Sequence, residues 1–502
     1  MMTTRWHTLL PSLGLGLTMV LALLALCSGA ALPARADGPC TVCLEAGVCA
    51  YTTLQAAVDD GACNDIRVAQ GVYTGVQGRP VPARYSFPPA SGLITQVVYI
   101  SRTVTVRGGY TATNWTTPYP LTQPTTLDAG GLGRALVVAG DISPTIEGLG
   151  LTNGNAAGLG GDDGWDTGGG VYIIRAAATL SACRVFSNTA EYGGGLGLWY
   201  SPATLSACHV FSNTAQAGGG LCLWYSPATL SANRVTSNTA TFFGGGLDLY
   251  RSPATLISNS VTANTARRNG GGLGLHYSPA TLISNSVTAN TARRNGGGLF
   301  LEFSPAMLSA NSVTSNTAGG GLYLDGSGAT LSATSVTSNA AGGGLYLMYK
   351  SNAWLTNTVV ADNRAGTNGS GLYVTSSSPR LVHTTIAHNG GGDGSGVYVA
   401  IKSSVWLTNT ILVSHTVGIT VAAGSTATLN STLWYGNGAD WDGAGTLTRT
   451  GDITGDPAFA DPNGGDYHLT ASSAAIEQGV AAGVTTGKDG HLRDAQPDLG
   501  AY

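Results

Sequence analysis

The sequence Gly218-Gly-Gly-Leu-Cys-Leu-Trp-Tyr-Ser-Pro-Ala-Thr-Leu230 is one copy of a pattern that returns along the middle of a 502-residue chain. Successive copies begin 23 to 26 residues apart, at the glycine triplets of Gly168, Gly193, Gly218, Gly244, Gly270, Gly296, Gly319 and Gly342. Looser copies begin at Gly369 and Gly394. A period in the twenties indicates a solenoid, in which each unit buries its apolar side only by stacking on its neighbours.

The apolar residues of each copy predict three short strands. Leu occupies the third and fifth positions after the first glycine in nearly every copy, and such alternation is typical of a strand with one buried face. A second segment carries Leu at the twelfth position, and a third carries Val at the seventeenth, from Val185 to Val359. Three strands per coil of about 23–27 residues predict an all-β fold, a single-stranded parallel β-helix or β-solenoid. A leucine-rich repeat ranks lower, because Gly, Ser, Thr and Asn fill the intervals where its convex segments need Leu.

Two columns of Asn support this interpretation. One lies at the fifteenth position and comprises Asn233, Asn259, Asn285, Asn311 and Asn357. The other lies at the twentieth position and comprises Asn188, Asn213, Asn238, Asn264, Asn290, Asn316 and Asn339. Asn tolerates the left-handed backbone of a sharp turn, and stacked amides can hydrogen-bond from coil to coil. We interpret both columns as structural, because no carboxylates accompany them as they would at a metal site.

The composition narrows the class of protein. The chain holds 74 Gly, 10% charged residues and a formal net charge of −4. Basic residues are few and scattered, so we expect no nucleic-acid partner. Low charge and a mildly positive mean hydropathy argue against a disordered polyelectrolyte. We expect a monomer that forms one extended solenoid with a terminal segment.

The first 36 residues have the pattern of an export signal. Arg5 and His7 precede an apolar run from Leu13 to Leu26, and Ala34-Arg-Ala36 supplies a small-x-small cleavage site. A retained membrane anchor and a lipidated Cys27 are the alternatives. Beyond residue 36 no apolar stretch is long enough to span a bilayer, so the mature chain is expected to be secreted or held at the cell surface.

Cysteines cluster at the start of the predicted mature chain. Cys40, Cys43, Cys49 and Cys63 favour two disulfides, and four cysteines permit three pairings that the sequence leaves open. A zinc site is the alternative, although the spacing lacks the second short pair of a zinc ribbon. Cys183 and Cys208 occupy the same position in adjacent coils, so they could form a bridge or remain thiols.

A short helix is predicted between the cysteines. Leu54, Ala57 and Val58 share one helical face, and Thr52 or Thr53 supplies the N-cap. We expect this helix to cover the open end of the solenoid, whose backbone groups would otherwise stay unpaired. The predicted organisation is a signal peptide at 1–36, an N-terminal cap at 37–90, the β-helix at 91–451 and a C-terminal segment at 452–502.

Three sets of motifs carry a family resemblance. Tyr51-Thr-Thr-Leu-Gln-Ala-Ala-Val58, Ile66-Arg-Val68 and Gly71-Val-Tyr73 resemble the start of secreted right-handed β-helix proteins of the pectate-lyase-like superfamily. Asp456-Pro-Ala-Phe459, Asp466-Tyr-His-Leu469 and Leu499-Gly-Ala-Tyr502 resemble the choice-of-anchor Q tail of bacterial extracellular proteins. The internal Gly-Gly-x-Leu and Val-x-x-Asn motifs are similar to repeats of polymorphic outer-membrane adhesins. The resemblance implies a right-handed coil and an extracellular role.

Side chains that point away from the coils offer a binding surface. Positions four, six and seven after the first glycine are expected to face solvent, and they carry a row of aromatic residues. The candidate ligand-binding residues are Trp199, Tyr200, Trp224, Tyr225, Tyr250, Tyr277 and Phe303, with Phe300, Tyr323, Tyr346, Tyr349, Tyr373 and Tyr398 beside them. Such a platform could stack sugar rings or a protein partner. Alternatively, cross-strand aromatic pairs stabilise the sheet and bind nothing.

The same columns hold candidate catalytic groups. His276, Glu302 and Asp325 occupy the sixth position of successive coils, and Asp248 lies at the fourth position one coil earlier. Stacked carboxylates about 5 Å apart would have the separation of a retaining glycosidase. However, residues 252–273 recur unchanged as 278–299, so copying of coils could also have placed these groups. No polygalacturonase, pectin-esterase or pectate-lyase signature accompanies them.

Two weaker features remain. Arg267-Arg268 stack over Arg293-Arg294 and could attract a sulfate, a phosphate or an acidic polysaccharide. Calcium is the one cofactor considered, at Asp162-Asp-Gly-Trp-Asp166, which lacks the alternating spacing of a calcium loop. The sequence thus favours an extracellular binding, adhesion or structural module for polysaccharide or a cell-surface protein. The alternative is a polysaccharide lyase or glycoside hydrolase that uses the outward strand face.

Overall fold

The computed structural model describes residues 38–80, 92–161, 164–366 and 368–502. The predicted signal peptide and the carboxylates of Asp162 and Asp163 lie outside these residues. Cys40–Tyr502 forms one compact unit. Within the described ranges, no helix has the length and apolar character that crossing a membrane requires.

The Gly-Gly-Gly-Leu segments form one side of the coils, which we name sheet 1. Its strands are parallel except for the first, which pairs antiparallel with the second. In order they are Gln77–Pro80, Leu93–Ile100, Arg134–Ala139, Val171–Ile174, Leu196–Trp199, Leu221–Trp224, Leu247–Tyr250, Leu273–His276, Leu299–Glu302, Leu322–Asp325, Leu345–Met348, Leu372–Thr375, Ser395–Ala400, Val417–Val421 and Ala439–Asp442.

The other two sides are hydrogen-bonded into one 29-stranded sheet. The column that follows sheet 1 along the chain, which we name sheet 2, contains Cys40–Val42, Asp65–Ala69, Thr105–Tyr110, Thr145–Glu147, Thr179–Ser181, Thr204–Ser206, Thr229–Ser231, Thr255–Ile257, Thr281–Ile283, Met307–Ser309, Thr330–Ser332, Trp354–Thr356, Arg380–Val382 and Thr446–Thr450. The next column, sheet 3, contains Gly71–Tyr73, Thr125–Asp128, Leu149–Thr152, Arg184–Phe186, His209–Phe211, Arg234–Thr236, Ser260–Thr262, Ser286–Thr288, Ser312–Thr314, Ser335–Thr337, Val359–Ala361, Thr385–Ala387 and Ile453–Thr454. The long strands Ser404–Val413 and Thr426–Tyr435 run through both columns.

Shorter strands line the turn that leads from sheet 3 back to sheet 1. Four of them form a parallel sheet of their own, which we name the turn sheet: Thr214–Ala217, Thr239–Phe243, Thr265–Ala266 and Thr291–Ala292. Arg364–Ala365 pairs with Gly390–Gly391 in the same way. Near the C-terminus, Phe459–Asp461 and Asp466–Leu469 form an antiparallel pair around the 3₁₀ helix Pro462–Gly464.

The predicted Leu columns form a single core. Leu198 pairs in register with Leu223, and Leu223 pairs with Leu249. All three side chains are fully buried and belong to one cluster that extends from the cap to the last coils. The parallel β-helix predicted from the repeat is thereby confirmed.

One coil departs from the predicted count. Lys350 is an additional residue of the turn after sheet 1, with a left-handed φ of 66°. The positions after it are therefore displaced by one. Val360, and not Val359 as predicted, pairs with Val336 and is fully buried. Asn357 leaves the predicted Asn column for the same reason and contacts the C-terminal segment instead.

The buried polar columns are hydrogen-bonded ladders. In the longer one, each Asn donates from Nδ2 to Oδ1 of the next at 2.9–3.1 Å, through Asn188, Asn213, Asn238, Asn264, Asn290, Asn316, Asn339, Asn363 and Asn389. The shorter one joins Asn233, Asn259, Asn285 and Asn311. A third ladder was not predicted from the sequence. In it, each backbone N–H donates to Oγ of the next Ser: Ser201, Ser226, Ser252, Ser278, Ser304, Ser327, Ser351, Ser377, Ser403 and Ser425.

The glycine triplets are required by close packing of neighbouring turns. Gly218 has a φ of +62°, and a Cβ there would lie 2.2 Å from the carbonyl oxygen of Leu221. A Cβ on Gly219 would lie 2.5 Å from the carbonyl oxygens of Gly245 and Thr239. No larger residue fits without moving the backbone, which explains why the triplet recurs.

The short helix predicted near the N-terminus is present. The helix Leu54–Asp59 begins after Thr53, whose side chain accepts a hydrogen bond from the backbone N–H of Ala56. The amide of Gln55 accepts from the N–H of Tyr99 and donates to its carbonyl oxygen, at 2.7 and 3.1 Å. Gln55 thus replaces a neighbouring strand at the end of sheet 1. The structure also settles which cysteines pair. Cys40 is bonded to Cys63, and Cys43 is bonded to Cys49.

The C-terminal segment lies on the outer side of sheet 3. Tyr467 and Leu499 are buried in a cluster with Ile411, Val413 and other outward residues of that sheet. Asn409 donates from Nδ2 to the carbonyl oxygen of Val480 and accepts from its N–H, at 2.7 and 2.9 Å. The C-terminal segment therefore covers apolar surface on the last coils.

Candidate functional site

Sheet 1 presents its outward side chains from two strand positions and from the turn residue that follows. This turn residue has a left-handed backbone, with φ of 50° at Tyr200, 48° at Tyr225 and 52° at Tyr277. Other coils place Arg175 or Arg251 in the same conformation. The turn itself imposes this geometry, whichever side chain occupies it.

Part of the predicted aromatic platform is covered. Trp199 has no exposed surface, although the sequence analysis expected it to face solvent. Its ring packs with Tyr172 and Cys222, and Tyr192 from the preceding turn lies 6.3 Å from it in an edge-to-face contact. Trp199 points away from the core of the coils, yet it is buried beneath residues of the turn. It cannot contact a ligand in this arrangement.

The remaining predicted aromatics form an accessible surface, which we name the aromatic row: Tyr200, Tyr225, Tyr250, Tyr277 and Phe303. The rings of Tyr200 and Tyr225 stack at 5.2 Å, and those of Tyr277 and Phe303 at 5.3 Å. Tyr250 lies between the two pairs with edge-to-face contacts of 6.0 and 6.1 Å. Tyr200, Tyr277 and Phe303 are 39%, 46% and 42% exposed.

Arg251 completes the aromatic row. Its guanidinium lies 5.6–5.7 Å from the ring centroids of Tyr225, Tyr250 and Tyr277, and Nη1 donates to the hydroxyl of Tyr225 at 2.9 Å. Trp224, the predicted residue that pairs in register with Tyr250, stacks on it at 4.1 Å and is half-buried. Arg251 was not among the predicted site residues, although it occupies the same turn position as Tyr225 and Tyr277.

The four candidate catalytic residues lie next to this row. Nδ1 of His276 lies 2.8 Å from Oε2 of Glu302, and its Nε2 lies 3.3 Å from Oδ1 of Asp248. The second contact has the distance of an ion pair without the alignment of a good hydrogen bond. Asp248 and His276 are buried, whereas Glu302 is half-buried. Phe243 of the turn sheet covers the imidazole at 4.9 Å, a contact that the sequence analysis missed.

The electrostatics of this group follow from its geometry. Burial lowers the pKa of His276, but the close carboxylates of Asp248 and Glu302 outweigh it and raise the pKa to about 9. The hydrogen bond from His276 lowers the pKa of Glu302. Burial and then the charge of Glu302 raise the pKa of Asp325. At neutral pH, His276 is therefore a protonated centre between two carboxylates.

This arrangement differs from the expected pair of carboxylates. Glu302 and Asp325 are in register on adjacent strands, but Glu302 is already bound to His276. A general acid and a nucleophile must both reach the substrate. Glu302 neutralises the buried charge of His276, and its side chain is 35% exposed next to Asp325.

The other predicted surface residues have separate environments. The rings of Phe300, Tyr323, Tyr346, Tyr373 and Tyr398 stack successively at 4.6–5.6 Å along the neighbouring column of sheet 1. Phe300 is buried and the four Tyr are half-buried, which is typical of a stabilising ladder. Tyr349 is 60% exposed beyond the aromatic row.

The weaker sites also have defined positions. Arg267, Arg268, Arg293 and Arg294 are all exposed beside the turn sheet. The carboxylate of Asp166 accepts the backbone N–H groups of Gly158 and Gly160, both at 2.7 Å. In the part of the chain that the structure describes, no group of three or more His, Cys, Asp or Glu could hold a metal ion. Cys183 and Cys208 are buried thiols and form no bridge.

Solved structures provide distant likenesses. The Dettilon tailspike protein has a TM-score of 0.34 at 12% identity over 81% of this chain and 68% of its own. The catalytic domain of a GH87 α-1,3-glucanase in complex with tetrasaccharides gives 0.27 at 12% over 79% and 66%, and pectate lyase Pel9A gives 0.23 at 10% over 87% of both chains. These scores carry no argument about a ligand. No curated protein matches the chain significantly.

A family model connects the sequence with the fold. The model described as "Right handed beta helix region" matches residues 147–306 and 284–433. Together these ranges cover more than half of the chain and include every coil of the aromatic row. The right-handed coil that the sequence resemblance implied is thereby confirmed. The chain belongs to the right-handed β-helix family.

Proposed function

We propose that this protein is an extracellular carbohydrate-binding module and that the aromatic row stacks on the rings of a polysaccharide. The observation that carries the proposal is the run of Tyr200, Tyr225, Tyr250, Tyr277 and Phe303 along successive coils, three of them 39–46% exposed. Contiguous exposed aromatic surface on a soluble protein marks an interaction site. A linear ligand suits a row that continues along the coil axis.

Polar groups beside the row favour a sugar over an apolar protein surface. Arg251 lies on the rings, and the half-buried carboxylates of Glu302 and Asp325 lie on the neighbouring strand position. Sugar rings present apolar faces to aromatic side chains and hydroxyl groups to charged acceptors. The row offers both kinds of contact within a few coils.

The two disulfides are consistent with an extracellular location. Cys40–Cys63 and Cys43–Cys49 are disulfides, and disulfides persist mainly in oxidising compartments. The predicted signal peptide at 1–36 would deliver the chain to such a compartment. Attachment at the surface through the tail at 452–502 remains part of this proposal.

The competing function is hydrolysis or lyase cleavage of the same polysaccharide. The observation behind it is the group formed by Asp248, His276, Glu302 and Asp325. His276, the most basic residue of this group, is buried and already protonated at neutral pH. It is therefore poorly placed to abstract a proton from a substrate. Binding without cleavage is therefore the better account.

The test is retention on immobilised pectin, xylan, cellulose and mixed-linkage glucan. We expect retention on at least one of them, and we expect the triple variant Tyr225→Ala, Tyr277→Ala and Phe303→Ala to weaken it at least tenfold. Tyr435→Ala is the matched control, because Tyr435 is 42% exposed on the last coils away from the row. Equal retention by the triple variant and the control would refute the aromatic row as the binding site.

Product analysis on the same panel separates the two functions. A binding module leaves the polysaccharide intact after long incubation. Release of reducing ends or unsaturated sugars, lost in Glu302→Gln and Asp325→Asn, would establish the enzyme instead.

A further inference from the structure

A cleft of about 540 Å³ lies on the opposite side of the coils from sheet 1. One wall is the loop 118–122, which overhangs the corner between sheets 2 and 3. The floor is formed by Ala182 and Ala207, two small left-handed residues of that corner. Arg184 and His209 stand at the edge on the first residues of their sheet 3 strands.

Contacts with neighbouring backbone fix the position of the loop 118–122. Pro120 packs so closely on Gly109 that a Cβ there would lie 2.7 Å from the proline nitrogen, and it also lies against Gly148. The N–H of Tyr119 donates to the carbonyl oxygen of Gly109 at 2.6 Å. Tyr119 and Leu121 are nevertheless 50% and 82% exposed. Their apolar surface therefore faces outward from a fixed backbone.

Basic residues occupy successive strands of sheet 3 beside the cleft. On one side the register partner of Arg184 is Gly150, which has no side chain to pair with the guanidinium. In the other direction, Arg184 pairs with His209 and His209 with Arg234, so three basic residues stack on successive strands.

These bases lack acidic partners among the described residues. Glu147, a carboxylate of the adjoining column, forms its ion pair with Arg107. The guanidinium of Arg184 lies 5.5 Å from the rings of Phe186 and Phe211, and the imidazole of His209 stacks on Phe211 at 4.3 Å. Aromatic contacts thus hold both side chains in place. Nε2 of His209 also lies 3.0 Å from Oγ1 of Thr236, so the guanidinium of Arg184 supplies most of the available donors.

We propose that this cleft binds an anionic sugar unit, with its carboxylate or sulfate between Arg184 and His209 and its apolar ring face against Tyr119 and Leu121. Arginine is suited to planar bidentate recognition of oxyanions. The apolar wall distinguishes a sugar acid from a bare inorganic anion, which would gain nothing from it. The site is separate from the aromatic row, so its existence does not depend on the proposed function of sheet 1.

The charge environment of His209 supplies a direct readout. Burial and then the charges of Arg234 and Arg184 lower the pKa of His209. An anion seated between these groups offsets the positive field, so binding should raise that pKa. Titration of the His209 ring by NMR, with hexagalacturonate as the acidic probe, measures this shift at the site itself.

We expect hexagalacturonate to raise the pKa of His209 and neutral maltohexaose to leave it unchanged. Arg184→Gln should weaken hexagalacturonate binding at least tenfold, and Tyr119→Ala should weaken it severalfold. Arg267→Gln is the control, because Arg267 is an exposed arginine beside the turn sheet.

Other results would overturn the proposal. These are an unchanged His209 titration, equal losses in Arg184→Gln and Arg267→Gln, or tight binding of inorganic sulfate that Tyr119→Ala does not affect. A heparin-derived hexasaccharide in place of hexagalacturonate tells whether sulfate or carboxylate is the preferred anion. The triple variant of the aromatic row should retain this binding, which keeps the failure of one site distinguishable from failure of the other.

Discussion

The indole rings of Trp199 and Trp224 stack almost parallel, 5.4 Å apart and inclined by 4°, yet only Trp224 reaches solvent. The two residues occupy equivalent positions of adjacent coils. Tyr192 lies edge-on to both rings, at 6.3 and 6.2 Å, whereas Tyr172 of the preceding strand packs edge-on against Trp199 at 6.3 Å. Equivalent residues in one column can therefore be structural in one coil and accessible in the next.

Replacing these aromatics should separate stability from binding. Trp199→Ala leaves a cavity beneath the turn and should lower the free energy of unfolding by about 3–5 kcal/mol. Tyr200→Ala removes a ring that is 39% exposed and should cost much less stability while weakening polysaccharide retention. Chemical denaturation and the retention assay measure the two effects. A stable Trp199→Ala variant would contradict the packing described for this ring.

The charged group around His276 should make stability depend on pH. Its pKa rises from 6.5 to about 9 on folding, so the unfolded chain loses this proton first as the pH increases. The stabilisation is complete below pH 6.5 and is lost as the pH rises through about 9, and it amounts to about 3 kcal/mol at most. Thermal unfolding between pH 6 and 9.5 should show the decline.

The variant His276→Gln should abolish that pH dependence. It should also destabilise the fold by about 3–5 kcal/mol, because Asp248 would be left as an uncompensated buried charge. His491→Gln is the control, since His491 is exposed near the C-terminus. An unchanged slope in His276→Gln would assign the pH dependence to other groups.

Replacing one Asn of the longer ladder should lower the stability of the fold. Asn238 donates to the carbonyl oxygen of Val210 and to Asn264, and it accepts from Asn213. Asn238→Ala leaves these buried groups without partners and should cost at least about 2 kcal/mol. The exposed neighbour Thr239 offers the comparison, because Thr239→Ala should stay within about 0.5 kcal/mol of the parent.

The two disulfides should differ in their effect on the cap. Cys40–Cys63 closes a loop with a sequence separation of 23, and Cys43–Cys49 one of 6. Loop-closure entropy assigns about 3 kcal/mol to the first and about 2 kcal/mol to the second. Hydrogen exchange of residues 40–73 should therefore accelerate more in the double variant Cys40→Ala and Cys63→Ala than in the corresponding variant of the shorter loop.

Removal of the C-terminal segment should expose the last coils. A chain that ends at Thr454 loses the residues that cover Ile411 and Val413, which are now buried. We expect a lower melting temperature and self-association that increases with concentration. Sedimentation of the truncated and full chains measures this, and a monomeric truncated chain of unchanged stability would contradict it.

The repeat made the architecture predictable. Alternating Leu residues such as Leu198 and Leu223 identify buried strand positions because every coil repeats the same physical requirement. The prediction of Val359 and Asn357 was wrong where Lys350 lengthens one turn, since a count along the sequence cannot see which residue absorbs an insertion. The cysteine pairing depends on which cysteines the fold brings together, and all three combinations are equally compatible with the sequence.

The candidate site was harder to predict from the sequence than the fold. The outward columns were identified, but the cover over Trp199 and His276 comes from turn residues such as Tyr192 and Phe243, which do not recur with the period. The contact of Glu302 with His276 depends on side-chain geometry in two adjacent coils. The repeat predicts the strand positions that all coils share, whereas the candidate site depends on side chains that differ from coil to coil.

The identical stretches 252–273 and 278–299 show how such a molecule can change its reach. Every coil has the same hydrogen-bond acceptors and the same apolar surface on the side where the next coil stacks. An extra copy therefore inserts like another rung, lengthening the rod by ~4.8 Å without any new interior chemistry. Recombination between duplicated gene segments can thus tune the span of such a rod in fixed steps while its outward residues diverge.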